Sequence, residues 1–312
     1  MNKKVLVTGG NGLVGSAVKD ISKNKTNIDF VFVTHQEYDL TDQQQVNNLF
    51  LKYKPDYVIH TAAKVGGIGG NMIGHADYFY KNILINTHII HNCHLHNIKK
   101  LLAFSSVCVF PDNSLILKED MMHNGAPFEG NFAYANAKRM VDVQIRAYKS
   151  QYGHKNWCSI IPANIYGPND LYSLSHGHVI PSLIHKLYLA SKNNTGKFYV
   201  WGDGKSMREF IFSYDLAEIL IKLLDFEEIP ERLIVSGQQE YSIKEVVDIL
   251  VKSAKFKGQI IYDSSKPNGQ RKRPCDLSLL NNLFPNFKQI DLKDGLEISY
   301  KWFSDNYPQV RI

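Results

Sequence analysis

Tyr134 and Lys138 stand four residues apart, which puts both side chains on one face of a helix. A cation beside a phenol stabilises the phenolate and draws a tyrosine pKa down from about 10, so the pair is suited to passing a proton to or from a substrate oxygen. Ser106, at the end of an upstream apolar run, offers a second hydroxyl to the same oxygen. A Tyr-x-x-x-Lys spacing is common by chance. It gains weight from Gly9-x-x-Gly12-x-x-Gly15, which directly follows Val5-Leu6-Val7. In such a turn the first glycine permits the bend and the second lets the backbone approach a diphosphate. The third lets the next helix pack close to the sheet. Free N–H groups and the helix dipole favour an anion there. Gly9, Gly10, Asn11, Gly12, Leu13, Val14 and Gly15 are therefore the expected dinucleotide-binding turn, although glycine turns also serve plain strand-to-helix connections.

The end of the second strand reads the adenosine ribose. An acidic residue there holds the 2′-hydroxyl of NAD and repels the extra phosphate of NADP. Here Val33 is followed by Thr34-His35-Gln36, with no carboxylate before Glu37. That leans toward NADP(H) as cofactor, with His35 the weak nearby substitute for a phosphate-clamping arginine.

These residues need a scaffold. Apolar runs predict strands at Lys4–Thr8, Phe30–Val33, Tyr57–Thr61, Leu101–Ser106 and Ser159–Pro162. Helical spacing fills the gaps at Leu13–Ile21, from about Asp42 to Tyr53 behind a Thr41 cap, at Ala76–His96 and at Phe132–Tyr152. The alternation predicts an α/β Rossmann fold, a doubly wound parallel sheet. Beyond about Gly167 the rhythm loosens, with short strands such as Phe198–Trp201 and Leu233–Val235 among helices. Residues 1–166, with a return near 205–235, are expected to form the NADP-binding domain. Residues 167–204 and 236–312 are expected to form a smaller α/β substrate lobe.

Composition narrows the classes. Of 312 residues, 44% are hydrophobic and 21% charged, which excludes a disordered or collagen-like chain. Thirty-six Lys+Arg against 30 Asp+Glu give +6, too little to argue for nucleic acid but suited to a ligand carrying phosphates. Cys93, Cys108, Cys158 and Cys275 lie far apart without zinc spacing, so reduced thiols and no metal are expected. His88, His91, His94 and His96 share one helical stretch without a carboxylate and read as packing residues. No apolar run approaches the ~20 residues of a membrane span, and the first is too short for a signal peptide. A cytoplasmic location without membrane partner is the expectation.

The chain resembles the extended short-chain dehydrogenase/reductases, and within them the GDP-L-fucose synthase family. The likeness is carried by the glycine turn, His60–Gly67, Ser105–Pro111, His123-Asn124-Gly125, Tyr134 with Lys138, Pro162–Pro168, His178–Pro181 and Trp201–Phe210. It implies epimerisation of GDP-4-keto-6-deoxy-D-mannose at C3 and C5 and reduction at C4. It also implies a homodimer paired through the long helices Ala76–His96 and Phe132–Tyr152. Cys108 and His178 match the family's proton-transferring pair. The resemblance adds Asp39, Leu40, Ala62, Ala63, Pro162, Asn164 and Ile165 to the cofactor residues, with the catalytic Lys138 and His178 also holding the cofactor. Asn164, Lys186, Trp201, Arg208 and, by a looser match, Asp276 would hold the GDP-sugar. The Arg271–Arg273 run reads as a solvated loop. Val107 and Phe110 depart from the residues often found in the family at these positions. The turn Ser106-Val107-Cys108-Val109 has no carboxylate, which argues against dehydration. A C4 reductase of a related GDP-4-keto sugar, such as a 6-deoxy-heptose, stays open. A non-catalytic NADP sensor would be expected to have lost Tyr134 or Lys138.

Overall fold

The computed structural model describes residues 2–193, 196–266 and 273–312. The first half of the chain alternates as its apolar periodicity predicts. β1 (Lys3–Thr8), α1 (Leu13–Ser22), β2 (Ile28–Val33), α2 (Gln43–Tyr53) and β3 (Tyr57–His60) come first. They are followed by α3 (Ile68–Ile73), α4 (His75–Leu95), β4 (Lys100–Phe104), α5 (Phe132–Tyr152) and β5 (Asn156–Pro162). The strands form a parallel sheet that a later strand, β9 (Arg232–Val235), completes in the order β2-β1-β3-β4-β5-β9. β3 and β4 are buried along their whole length because helices cover both faces, which is why their centres read as apolar runs between the buried polar ends His60 and Lys100.

Chain order reverses beside β1, where β2 and β3 flank it. Ligands of such sheets bind outside the carboxyl ends of the strands near this switch. Thr8, His60 and Ser105–Ser106 all lie at that edge. His60 is locked there: its Nδ1 lies 2.7 Å from the Thr8 hydroxyl and its Nε2 3.1 Å from Asn86 Oδ1. Burial, with Lys138 adding to it, pushes its pKa down to about 3, so this imidazole is a neutral strut between strands.

A second group of elements carries its own apolar core. β6 (Asn164–Tyr166), α6 (Val179–Lys192), β7 (Lys197–Trp201), β8 (Met207–Phe212) and α7 (Ser213–Asp225) precede β9. β10 (Glu240–Ser242), α8 (Ile243–Ser253), β11 (Gln259–Asp263), α9 (Ser278–Leu283) and α10 (Leu292–Asn306) follow it. β10, β8 and β6 form one small sheet and β11 pairs with β7 in another. Phe198, Phe210, Leu187, Val247 and Phe303 pack between them. Within residues 205–235, α7 and β9 pack on the main sheet, whereas β8 lies in the three-stranded sheet.

One local expectation is corrected. The cap of α2 is Asp42 rather than Thr41: the Asp42 carboxylate accepts from Gln44 N and Gln45 N. The Thr41 hydroxyl instead donates to Asp39 at 2.7 Å. An ionised carboxylate is the stronger acceptor for first-turn N–H groups, and it complements the dipole.

Candidate active site

A cavity of about 1260 Å³ runs along the carboxyl edge of the main sheet and under the second lobe. Gly9 opens it at φ +73°, and a Cβ there would stand 3.0 Å from Ala62 N, so the turn lies tight against the loop after β3. A Cβ on Gly15 would fall 2.2 Å from the Gly9 carbonyl oxygen. Gly10 and Gly15 therefore shape the turn from behind, while Gly9, Asn11, Gly12, Leu13 and Val14 line the cavity. Gly12 is the N-cap of α1 and supplies no side-chain cap, which leaves the helix start open to an anion.

His35, Asp39 and Leu40 line the end beyond β2, and Ala62 and Ala63 the wall beside it. Glu37 turns back on its own loop, accepting from Thr34 N and the Thr34 hydroxyl at 2.9 Å each. No carboxylate is thus presented at the tip of β2, and Asp39 is engaged by Thr41 N and its hydroxyl. Lys81 of α4 lines the same end. The residues fit a dinucleotide with an extra phosphate: an uncapped helix start, a close glycine turn and cationic side chains along one trough.

Pro162, Asn164 and Ile165 continue the floor toward the reacting centre. Ser106 is extended and begins a short 3-10 turn, Val107–Val109, in which Cys108 N donates to Ser106 Oγ at 3.3 Å. That bond ties the Ser106 hydroxyl to the backbone of Cys108. Tyr134, in the first turn of α5, stands near enough to Ser106 for the two hydroxyls to influence each other. Its ring meets that of Tyr78 edge-on at 6.4 Å. Lys138, 2% exposed, lies one turn further and donates from Nζ to the Phe104 carbonyl at 2.8 Å. His178, the N-cap residue of α6, faces the same space from the opposite wall.

The electrostatics differ from the sequence expectation at Tyr134. Burial pushes its phenol far above the ordinary value, with the nearby Cys108 thiol adding to the rise and the nearby Ser106 hydroxyl opposing it. Burial alone brings Lys138 down to about 7. With the lysine turned to a backbone carbonyl and half discharged at neutrality, the phenolate gains no counter-charge. Tyr134 is held as a proton donor. The protein packed around its ring draws the His178 pKa below its ordinary value, although the residue keeps an exposed face at the cavity.

The outer wall is cationic. Lys186 Nζ sits 4.3 Å above the Trp201 ring, and Arg208 Nη1 donates to the Met207 carbonyl at 2.6 Å. All three residues line the cavity. Arg273 is partly buried rather than solvated: its Nη1 donates to the carbonyls of Pro111 at 3.0 Å and Phe110 at 3.5 Å. Arg271 and Lys272 lie outside the described residues. Arg208 and Arg273 both stand within electrostatic range of Cys108. Asp276 is not brought to the cavity. Its carboxylate pairs with Lys118 at 3.2 Å and accepts from Ser278, which together hold its pKa down to about 2. Lys81, Asp170 and Arg311 line the site without any local sequence signal. Among the described residues no group of three or more His, Cys, Asp or Glu could hold a metal ion. No described helix is long and apolar enough to cross a membrane.

Residues 5–236 match the model of the NAD dependent epimerase/dehydratase family. The chain belongs to that family. It is 42% identical to a GDP-L-fucose synthase of Dictyostelium discoideum, over 99% of this chain and 98% of that one. Among solved structures it resembles a GDP-L-fucose synthetase of Naegleria fowleri bound to NADP, with TM-score 0.93 and 35% identity. The likeness covers 99% of this chain and 95% of that one. It also resembles a GDP-6-OMe-4-keto-L-xylo-heptose reductase from C. jejuni, with TM-score 0.89 and 28% identity over 98% of each chain.

Proposed function

We propose that the chain is an NADPH-dependent enzyme that epimerises GDP-4-keto-6-deoxy-D-mannose at C3 and C5 and reduces C4, yielding GDP-L-fucose. The carrying observation is that Ser106, Tyr134, Cys108 and His178 line one cavity with the glycine turn. The similarity to GDP-L-fucose synthases over nearly the full length of both chains supports the same reading.

A ketone at C4 acidifies the hydrogens on both adjacent carbons, because the resulting carbanion is an enolate. Ser106 and Tyr134 donate hydrogen bonds to the C4 oxygen and stabilise the negative charge that develops there. Cys108 and His178 approach from different walls, so one removes a proton and the other returns one to the opposite face of the ring. The turn Gly9–Gly15 and Lys138 hold the dinucleotide, whose reduced nicotinamide supplies hydride. Tyr134 then gives its proton to the C4 alkoxide, the task for which a buried, un-ionised phenol is suited. Lys186, Trp201 and Arg208 grip the sugar nucleotide's diphosphate side, while Asn164 steadies the sugar. Asp276 makes no contribution in this account. The 1–166 domain with its return carries the cofactor, and the second lobe the substrate. Two copies pair through α4 and α5, a pairing supported by the exposed Phe79, Tyr80 and Val143 on those helices.

A C4 reductase of a related GDP-4-keto sugar is the second reading, favoured by the likeness to the C. jejuni reductase. Turnover in deuterated water separates the two. Two-site activity incorporates deuterium at C3 and C5, and Cys108→Ser removes that label while NADPH binding is retained. Product without carbon-bound label leaves a pure reductase. Absence of NADPH oxidation with any GDP-4-keto sugar rejects both.

A further inference from the structure

The strip of chain after α10 folds back to the glycine turn. Tyr172 N donates to the Arg311 carbonyl at 2.7 Å, and Arg311 Nη1 donates to the Asn169 carbonyl at 3.1 Å. Asn169 sits at φ +63°, a left-handed conformation that asparagine tolerates better than most residues. These two bonds lace the strip to the 169–172 segment and set the guanidinium over the turn. Nη1 lies 3.9 Å from the point where a Cβ on Gly12 would stand. Arg311 lines the cavity together with Gly9, Gly12 and Leu13; among the described residues it makes no ion pair within 4 Å, and the charge nearest in influence is the buried Asp170 carboxyl on the same wall. The Asn169 bond engages a single N–H of the five in the guanidinium fork.

A second observation points to a ligand at this spot. Asp170, 4% exposed, lines the same wall, and its Oδ2 has no hydrogen-bond partner, while Oδ1 accepts from Leu171 N at 2.7 Å. A buried carboxyl oxygen with nothing to accept from is rare in folded proteins. A hydroxyl-bearing ligand lying along the turn gives it a donor.

We infer that Arg311 is a cofactor-binding residue that closes over the dinucleotide diphosphate, opposite the N–H groups of the glycine turn. A planar guanidinium matches two phosphate oxygens at once, which a point charge cannot do. The strip is thereby a strap: it ties the 169–172 segment of the substrate side to the phosphate bridge of the cofactor. Gly12 marks the target as the cofactor's diphosphate, since Lys186 and Arg208 serve the sugar nucleotide. The inference rests on reading Gly9–Gly15 as the dinucleotide turn.

Fluorescence titration tests it with three probes: NADPH, adenosine 2′-monophosphate (which lacks the diphosphate) and GDP. Arg311→Met is expected to weaken NADPH by about 10- to 100-fold, the range of a lost charge-assisted hydrogen-bond pair. Arg311→Lys, which keeps the charge and loses the fork, falls between. Adenosine 2′-monophosphate and GDP stay within about twofold, which also shows the variants folded. Unchanged NADPH affinity overturns the inference and leaves the dinucleotide reading intact. Equal loss of GDP, or of the monophosphate, overturns it by assigning Arg311 to the substrate or to the fold. A wild-type protein that does not bind NADPH overturns both.

Discussion

The floor of the cavity and its outer wall solve opposite electrostatic problems. On the floor, burial strips charge from the groups that handle protons: the Tyr134 phenol is held un-ionised and Lys138 close to half-charged at neutrality. On the wall, burial also draws the pKa values of Lys186 and Arg208 down, with Arg273 adding to it at Arg208, but both groups start far above neutrality, and an indole face lies under Lys186 and a backbone carbonyl against Arg208. Proton transfer needs groups that can change state, whereas anion recognition needs groups that do not. One trough thus holds the substrate's charge at its rim and offers nearly uncharged chemistry at its base. Substitutions on the floor should act on kcat, and substitutions on the wall on KM.

Tyr134→Phe is the strongest way to break that contrast. It removes the proton donor while keeping the ring, so kcat for ketone reduction should fall by about 10²–10⁴, the usual share of a positioned general acid. NADPH affinity should hold within about threefold by titration. A variant that raises KM and leaves kcat alone would assign Tyr134 to binding and dissolve the distinction between floor and wall.

On the wall the expected losses are smaller and of the other kind. Lys186→Gln should raise KM for the GDP-sugar by about 10-fold or more, the loss of one charge-assisted contact, with kcat within about threefold. Trp201→Ala removes the indole beneath that ammonium. The ring is 47% exposed, so the cation–π support is near its solvated value and KM should rise only about 2- to 5-fold. Steady-state kinetics of both variants and of the double substitution would show whether the two act as one unit. Additive effects would mean that they do not.

The two regions also differed in how far the sequence revealed them. The glycine turn, Ser106 and the Tyr134–Lys138 pair are each local patterns at strand ends or on one helix, and the parallel sheet follows from the period of its apolar runs. Lys186, Trp201 and Arg208 needed a family resemblance, because β7, α6 and β8 meet only in the folded lobe. Asp276 was misplaced for the same reason: nothing in the chain tells that Lys118 waits for its carboxylate. Arg311 left no trace at all. Its neighbour Gly12 lies at the far end of the chain, and only the hydrogen bonds to Asn169 and Tyr172 bring them together. The ionisation of Tyr134 was misjudged because spacing reports proximity and says nothing of burial.

Lys138 gives the smallest effect and the most direct check of charge suppression on the floor. Its pKa is about 7 in the folded, unliganded protein, against about 10.4 for an exposed lysine in the unfolded chain. Between those values the unfolded chain binds more protons than the native one, so this group's contribution makes stability rise with pH from about 7 upward. Below pH 7 both states carry the proton, and the native state bears the whole cost of an ammonium buried against the Phe104 carbonyl. Lys138→Met lacks that dependence. Its melting temperature relative to wild type, measured without ligand, should therefore be most favourable near pH 6 and decline toward pH 10 by a few degrees. A difference that stays flat over this range would mean that the ammonium is solvated in the native state. The floor would then lose its claim to hold its groups uncharged, and the contrast with the wall would have to rest on Tyr134 alone.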